Sequence, residues 1–92
     1  MNTELINKLN DKSAKIGIIG LGYVGQPLLI RYSDIGYSVM GFDIDQQKVY
    51  ELNNGHSQIE HIPDTQIKAA VDNGFEATAD YSRVAECDAL IL

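Results

Sequence analysis

The residues best suited to chemistry in this 92-residue chain form one short run, Gly20-Leu21-Gly22-Tyr23-Val24-Gly25, followed at a distance by one acid, Asp43. The run fits G-x-G-x-x-G, a pattern whose mechanism needs a strand before it and a helix after it. Gly20 suits a tight turn. Gly22 lets a backbone approach a pyrophosphate with no Cβ in the way, and Gly25 lets the helix pack closely on the strand. The N–H groups near Tyr23 and Val24 then face the phosphates, helped by the helix dipole. Asp43 follows Gly20 by 23 residues, close to the spacing of about 20 at which an acid meets the ribose in such folds. A carboxylate there accepts hydrogen bonds from both adenosine ribose hydroxyls and repels a 2′-phosphate. Ile44-Asp45-Gln46-Gln47 holds no Arg, so NAD is favoured over NADP. Lys48, one turn into the next helix, can reach the ribose or a phosphate. The plainer role for Asp43 is to cap that helix, which Asp45 can also do.

The elements that must position these groups are legible around them. Lys15-Ile16-Gly17-Ile18-Ile19-Gly20 is short, β-branched and apolar, and reads as a buried strand. Residues 23–35 switch to helical period, with Val24, Leu28, Tyr32 and Ile35 on one face and Gly36 as the stop. Pro27 falls near the first turn, where a missing N–H costs least. Ser38–Asp43 is a second strand. Asp45 N-caps a helix running to about Asn54, with Gly55 after it. Pro63 and Asp64 open another helix, with Ile67, Ala70 and Val71 as its apolar side and Gly74 at its end. Phe75–Thr78 is a weak third strand, Asp80 caps a short turn through Val84, and Asp88–Leu92 begins a fourth buried strand. The alternation predicts a doubly wound, three-layer α/β/α domain of the Rossmann type, with a parallel sheet and helices on both faces.

Residues 2–14, with Leu5, Ile6 and Leu9 at helical spacing, read as an amphipathic segment preceding a domain over 15–92. Leu92 ends the chain inside an apolar strand, which suggests the N-terminal part of a longer protein whose substrate domain lies elsewhere.

Composition narrows the classes. With 45% hydrophobic and 22% charged residues the chain is globular rather than disordered. The net charge of −6 argues against a nucleic-acid binder or a protein that docks on anionic membranes. The acidic excess is concentrated after residue 42 and reads as solvated helix faces. A single cysteine, Cys87, excludes an internal disulfide and a multi-cysteine zinc site. No apolar run approaches the roughly 20 residues of a membrane span. Asn and Lys interrupt the apolar residues near the N-terminus, unlike a signal peptide. A reduced, cytoplasmic compartment is the expectation.

Other reactive side chains carry less. His56, Glu60, His61 and Asp64 fit no zinc spacing and read as an ordinary polar loop. Cys87 lies between Glu86 and Asp88, whose charges raise a thiol pKa, so it reads as a packed thiol and no nucleophile. Tyr32, Tyr37, Tyr50 and Tyr81 read as packing residues. No nucleophile–base pair is present, so no catalytic residue is assigned.

Residues 15–25, then Gly41-Phe42-Asp43-Ile44-Asp45 and Lys48-Val49, resemble the N-terminus of the nucleotide-sugar 6-dehydrogenases. Ile59-Glu60-His61-Ile62-Pro63, Gly74–Thr78 and Cys87–Leu92 resemble more particularly the bacterial UDP-N-acetyl-D-glucosamine 6-dehydrogenases of surface-polysaccharide synthesis. The resemblance implies a homo-oligomeric enzyme that takes the C6 alcohol of a UDP-sugar to the uronate in a four-electron, NAD-dependent oxidation. A cysteine captures the aldehyde as a thiohemiacetal, which is oxidised to a thioester and hydrolysed. That cysteine, its helper lysine and asparagine, and the UDP-sugar pocket belong to later sequence; Cys87 does not occupy the motif. By the same resemblance Val24, Asp43 and Lys48 contact NAD. The family continues past this point into a Pro/Thr-containing loop that helps cover the cofactor, so these residues alone are expected to be inactive and to bind NAD weakly or not at all. Two other readings share the glycine turn: an NAD(H)-sensing regulatory module, such as those of potassium transporters and channels, and a generic NAD-dependent reductase.

Overall fold

A computed structural model describes residues 13–92. The amphipathic segment expected over 2–14 therefore lies, up to residue 12, outside the described residues. Strand β1 (Lys15–Ile19) leads through the glycine turn to helix α1 (Gly25–Ile35) and strand β2 (Ser38–Phe42). Helices α2 (Gln46–Asn53) and α3 (Asp64–Asp72) follow, then strand β3 (Glu76–Thr78), a 3-10 helix (Tyr81–Glu86) and strand β4 (Ala89–Ile91). The strands are all parallel and lie in the order β3-β2-β1-β4. The chain thus winds outward from β1 to β3 and then crosses back to the far side of β1. That reversal leaves a crevice at the carboxyl ends of β1 and β4, where open α/β sheets take ligands.

The pleat divides the sheet residues. Ile16, Ile18, Val39 and Ala77 enter the main buried cluster with Leu29 of α1, Leu52 of α2, and Ile67 and Ala70 of α3. Alternate positions face the other way. There Phe42 packs on Tyr81 of the 3-10 helix, ring centroids 5.8 Å apart. Leu90 and Cys87 cover Gly17, where an added Cβ would stand 2.6 Å from the Leu90 side chain and 2.8 Å from Cys87 Sγ.

Helix α1 departs from its expected face. It begins at Gly25, and its buried positions are Gly25, Gln26, Leu29 and Ser33. Val24 is 74% exposed and Ile35 is also exposed, while Leu28 and Tyr32 pack at the margin. Gly25 lets the start of the helix lie close to the strand, and Leu29 carries the helix's main apolar contact with the core. Pro27 is the third helical residue; Gln26 and Leu28 on either side donate to the Gly22 and Val24 carbonyls, and proline supplies no matching bond to Tyr23. Gly36 ends the helix at φ 114°, its N–H donating to the carbonyls of Tyr32 and Ser33.

Both edge strands are shorter than expected. Phe75 lies outside β3, buried in the core. The side chain of Asn53 covers the outer edge of β3: its Nδ2 donates to the Ala77 carbonyl at 2.9 Å, and its Oδ1 accepts from the Ala77 N–H at 2.8 Å. Strand β4 spans three residues, pairs with β1, and leaves Leu90 exposed. Its start is tied to β1 by Asp88, whose Oδ2 accepts from the Lys15 N–H and whose N–H donates to the Lys15 carbonyl. Asp80 caps the segment before β4 as expected, accepting from the Ser82 N–H, but the segment is a 3-10 helix that continues to Glu86.

Candidate functional site

The glycine turn joins the end of β1 at Ile19 to the start of α1 at Gly25 through five residues, Gly20 to Val24. Gly20 holds φ +89°, a backbone that an L side chain rarely adopts. Its N–H donates to the Phe42 carbonyl at 2.7 Å, which fixes the start of the turn to the end of β2. Leu21 turns its side chain inward, fully buried against Gly41. Gly22 faces open space: a Cβ built there meets nothing within 4 Å. Gly25 is the opposite case, since a Cβ there would overlap the Gly20 carbonyl oxygen. Tyr23 projects into solvent, 78% exposed.

Among the described residues, the backbone N–H groups of Gly22, Tyr23 and Val24 donate to no protein acceptor. They sit at the N-terminus of an 11-residue helix, where partial positive charge collects. An anion that brings its own acceptors fits this arrangement. Beside the turn, a cleft of about 210 Å³ opens between Ile18, Gly20, Val24, Leu28, Ile91 and Leu92. It lies at the reversal point of the sheet, and apolar side chains dominate its walls.

Asp43 follows β2 and reaches back to the turn. Its Oδ2 accepts from the Leu21 N–H at 2.9 Å, and its Oδ1 accepts from the Asp45 N–H at 2.9 Å. Lys48 Nζ stands 3.5 Å from Oδ2. The Asp43 side chain is 12% exposed. Burial pushes its carboxyl pKa up, but the two backbone N–H groups and the Lys48 charge outweigh burial and hold it below the ordinary value. The group is therefore an anion at neutral pH. Capping of α2 falls to Asp45, which accepts from the N–H groups of Gln47 and Lys48. A carboxylate offers about four acceptor positions. The Lys48 contact is the longest of the three in use, so room remains on Oδ1, and on Oδ2 if that contact yields.

The structure thus joins Leu21, Asp43 and Lys48 in one cluster, places Gly22 and Tyr23 at the open mouth of the turn, and puts Val24 on the wall of the cleft. Sequence reading passed over Gln26. It is 1% exposed, and its amide Nε2 donates to the Leu21 carbonyl at 3.0 Å and to Gln58 Oε1 at 3.1 Å. The available signal was its place on the same helix face as Leu29 and Ser33.

The weaker candidates remain apart from this site. His56 Nδ1 lies 3.3 Å from Asp64 Oδ2 in an exposed pair, and no group of three metal-ligating side chains exists among the described residues. Cys87 has its thiol pKa raised chiefly by burial, with Glu86 and Asp88 adding to it. No helix among the described residues is long and apolar enough to cross a membrane.

Comparisons with known proteins converge on one family. Residues 14–92 match the family model described as the NAD binding domain of the UDP-glucose/GDP-mannose dehydrogenase family. The chain is 32% identical over 78 residues to a UDP-N-acetyl-D-glucosamine 6-dehydrogenase of Salmonella typhi, covering 85% of this chain and 18% of that one. It is 45% identical over 49 residues to a UDP-N-acetyl-D-mannosamine dehydrogenase of Methanococcus vannielii, covering 53% of this chain and 12% of that one. The chain therefore spans less than a fifth of the length of these relatives. In fold it is similar to a GDP-mannose dehydrogenase of Pseudomonas aeruginosa solved as a ternary complex, with a TM-score of 0.75 and 27% identity over 84% of this chain and 19% of that one.

Proposed function

Because this chain belongs to the UDP-glucose/GDP-mannose dehydrogenase family and carries its NAD-binding domain, we propose that it is the cofactor-holding part of an enzyme that oxidises a UDP-N-acetylhexosamine at C6 to the uronate. UDP-N-acetylglucosamine is the proposed substrate. Relatives bearing that activity in their names align over 85% and 88% of the chain, in Salmonella typhi and Pseudomonas aeruginosa. The proposed setting is cytoplasmic synthesis of surface-polysaccharide precursors by a homo-oligomer of the full-length protein.

The observation that carries the cofactor assignment is the bond from the Leu21 N–H to Asp43 Oδ2. It sets an anion that suits ribose hydroxyls beside a turn that suits a pyrophosphate. In this reading the N–H groups of Gly22, Tyr23 and Val24 hold the two phosphates, and Gly20 and Gly25 shape the turn that presents them. Asp43 accepts from the adenosine ribose hydroxyls, and its charge disfavours a 2′-phosphate. Lys48 steadies that carboxylate and lies close enough to meet the ribose. Val24 guards the apolar cleft into which the rest of the cofactor extends. Bound NAD⁺ supplies the hydride acceptor; the groups that handle the sugar belong to other sequence.

The test is NADH formation by the full-length protein with UDP-N-acetylglucosamine, UDP-N-acetylmannosamine, UDP-glucose and GDP-mannose. The proposal expects UDP-N-acetylglucosamine to be preferred, with two NADH formed per sugar. A preference for another sugar overturns the substrate, and one NADH per sugar overturns the four-electron reaction.

A further inference from the structure

Gln26 touches the turn twice. Its backbone N–H donates to the Gly22 carbonyl at 3.0 Å, and its side-chain Nε2 donates to the Leu21 carbonyl at 3.0 Å. Each of those carbonyls shares a planar peptide group with the next N–H, and no cis peptide bond is present among the described residues. In a trans peptide the C=O and N–H point in opposite directions. Drawing the Leu21 carbonyl inward to Gln26 therefore turns the Gly22 N–H outward, and drawing in the Gly22 carbonyl does the same for the Tyr23 N–H. Gly22 faces open space. The two N–H groups best placed for a phosphate are oriented from behind by one residue.

A buried glutamine at the centre of a helix–sheet contact is costly unless its amide is satisfied. Here the amide is engaged on both sides. Nε2 also donates to Gln58 Oε1, and Oε1 lies 3.5 Å from Ser57 Oγ. The loop that supplies these partners is itself fixed, since the Ser57 N–H donates to Asp64 Oδ1 at 2.8 Å and Gln58 Nε2 donates to the His56 carbonyl at 3.1 Å. A leucine of similar volume would fill the same space without those partners. Packing alone does not call for an amide at this position.

We propose that Gln26 is a positioning residue, which holds the Leu21–Gly22 peptide so that the Gly22 N–H is aimed at the cofactor's pyrophosphate. The inference rests on the reading of the turn as the NAD site. The backbone bond to Gly22 survives any substitution at 26 except proline, whereas the bond to the Leu21 carbonyl depends on the side chain. Loss of the amide frees one peptide plane and leaves the helix, the turn and Asp43 in place.

The test compares the full-length wild-type protein with Gln26→Met, which keeps the length and loses the amide. A second variant, Gln26→Glu, keeps an acceptor for Ser57 and loses the donor to Leu21, and it decides the matter if the first does not fold. NAD⁺ and ADP-ribose are titrated calorimetrically, and adenosine is followed by ligand-detected NMR. The expected result is a loss of about tenfold for NAD⁺ and ADP-ribose, the size of one hydrogen bond, with adenosine binding unchanged. Affinity for NAD⁺ within about twofold of wild type overturns the proposal, since that is a small fraction of one hydrogen bond. An equal loss for all three ligands also overturns it, because it shows general loosening of the domain. If the wild-type protein binds none of the three, the cofactor reading itself has failed, and this inference falls with it.

Discussion

Gly25 stands so close to Gly20 that a single added carbon on Gly25 would overlap the Gly20 carbonyl oxygen. The obstacle is backbone, which cannot rotate out of the way as a side-chain tip can. The turn and the first residue of α1 are therefore set against each other without slack. Gly25→Ala must push the helix off the strand or twist the turn, and overpacking of this kind costs about 1–3 kcal/mol. Chemical denaturation is expected to show that loss, and calorimetry is expected to show NAD⁺ affinity falling with it.

Gly22 makes the converse case. A Cβ there meets no protein atom within 4 Å, and its backbone does not lie in the left-handed region. Gly22→Ala is expected to leave the unfolding midpoint nearly unchanged, within the roughly 0.5 kcal/mol usual for a surface substitution. Its methyl group would stand in the space a pyrophosphate needs, so NAD⁺ binding should weaken at least tenfold, by an order-of-magnitude estimate for a lost close approach. A variant that is as stable as wild type and still binds NAD⁺ normally would remove Gly22 from the site.

Asp43 links stability to pH in a way that can be isolated. Its folded pKa lies below the ordinary 3.8, so ionised Asp43 stabilises the fold above that value. The contribution is lost as pH falls through the lowered folded pKa. Asp43→Asn should therefore be less stable than wild type at neutral pH, and the two melting temperatures should converge on acidification below 3.8. Asp64, Glu76 and Asp80 are also held below their ordinary values, but they titrate in both proteins and cancel in the difference. NAD⁺ affinity of the variant should fall by roughly 10- to 100-fold, as for hydrogen bonds to a charged group. A constant gap in melting temperature across the acid range would contradict the assignment.

Asn53 offers a test of the fold away from the cofactor. Asn53→Leu keeps the side chain's size and removes both bonds to Ala77. The loss is expected to be about 1–3 kcal/mol, the range for net hydrogen-bond contributions with partly buried groups left unpaired. Amide hydrogen exchange at Ala77 should accelerate at the same time. Unchanged protection at Ala77 would show that its N–H is held by some other acceptor.

The legible parts of this molecule are those whose chemistry is written in a few adjacent residues. The turn from Gly20 to Gly25 announces itself because its geometry excludes side chains. The capping acids Asp45 and Asp80 sit where the helices they cap begin. The expected face of α1 differs from the buried one because Leu29 shares that buried face with Gly25, Gln26 and Ser33, which carry no apolar signal, while Val24 lies on an open cleft. A ligand-facing apolar residue and a core-facing one look alike in a hydropathy pattern. Gln26 was invisible for a different reason: its side-chain partner Gln58 lies 32 residues away, and nothing local marks a polar residue that distant groups will satisfy.

The carboxamide of Asn53 acts on β3 as a chain terminator acts on a polymer. It occupies the one N–H and one C=O that Ala77 turns away from β2, in the place where another strand would otherwise add. The opposite rim, at β4, carries no such stop among the described residues. A strand that approached from the β3 side would find both of those groups already taken. The β3 end of the sheet is sealed by a side chain rather than by a neighbouring strand.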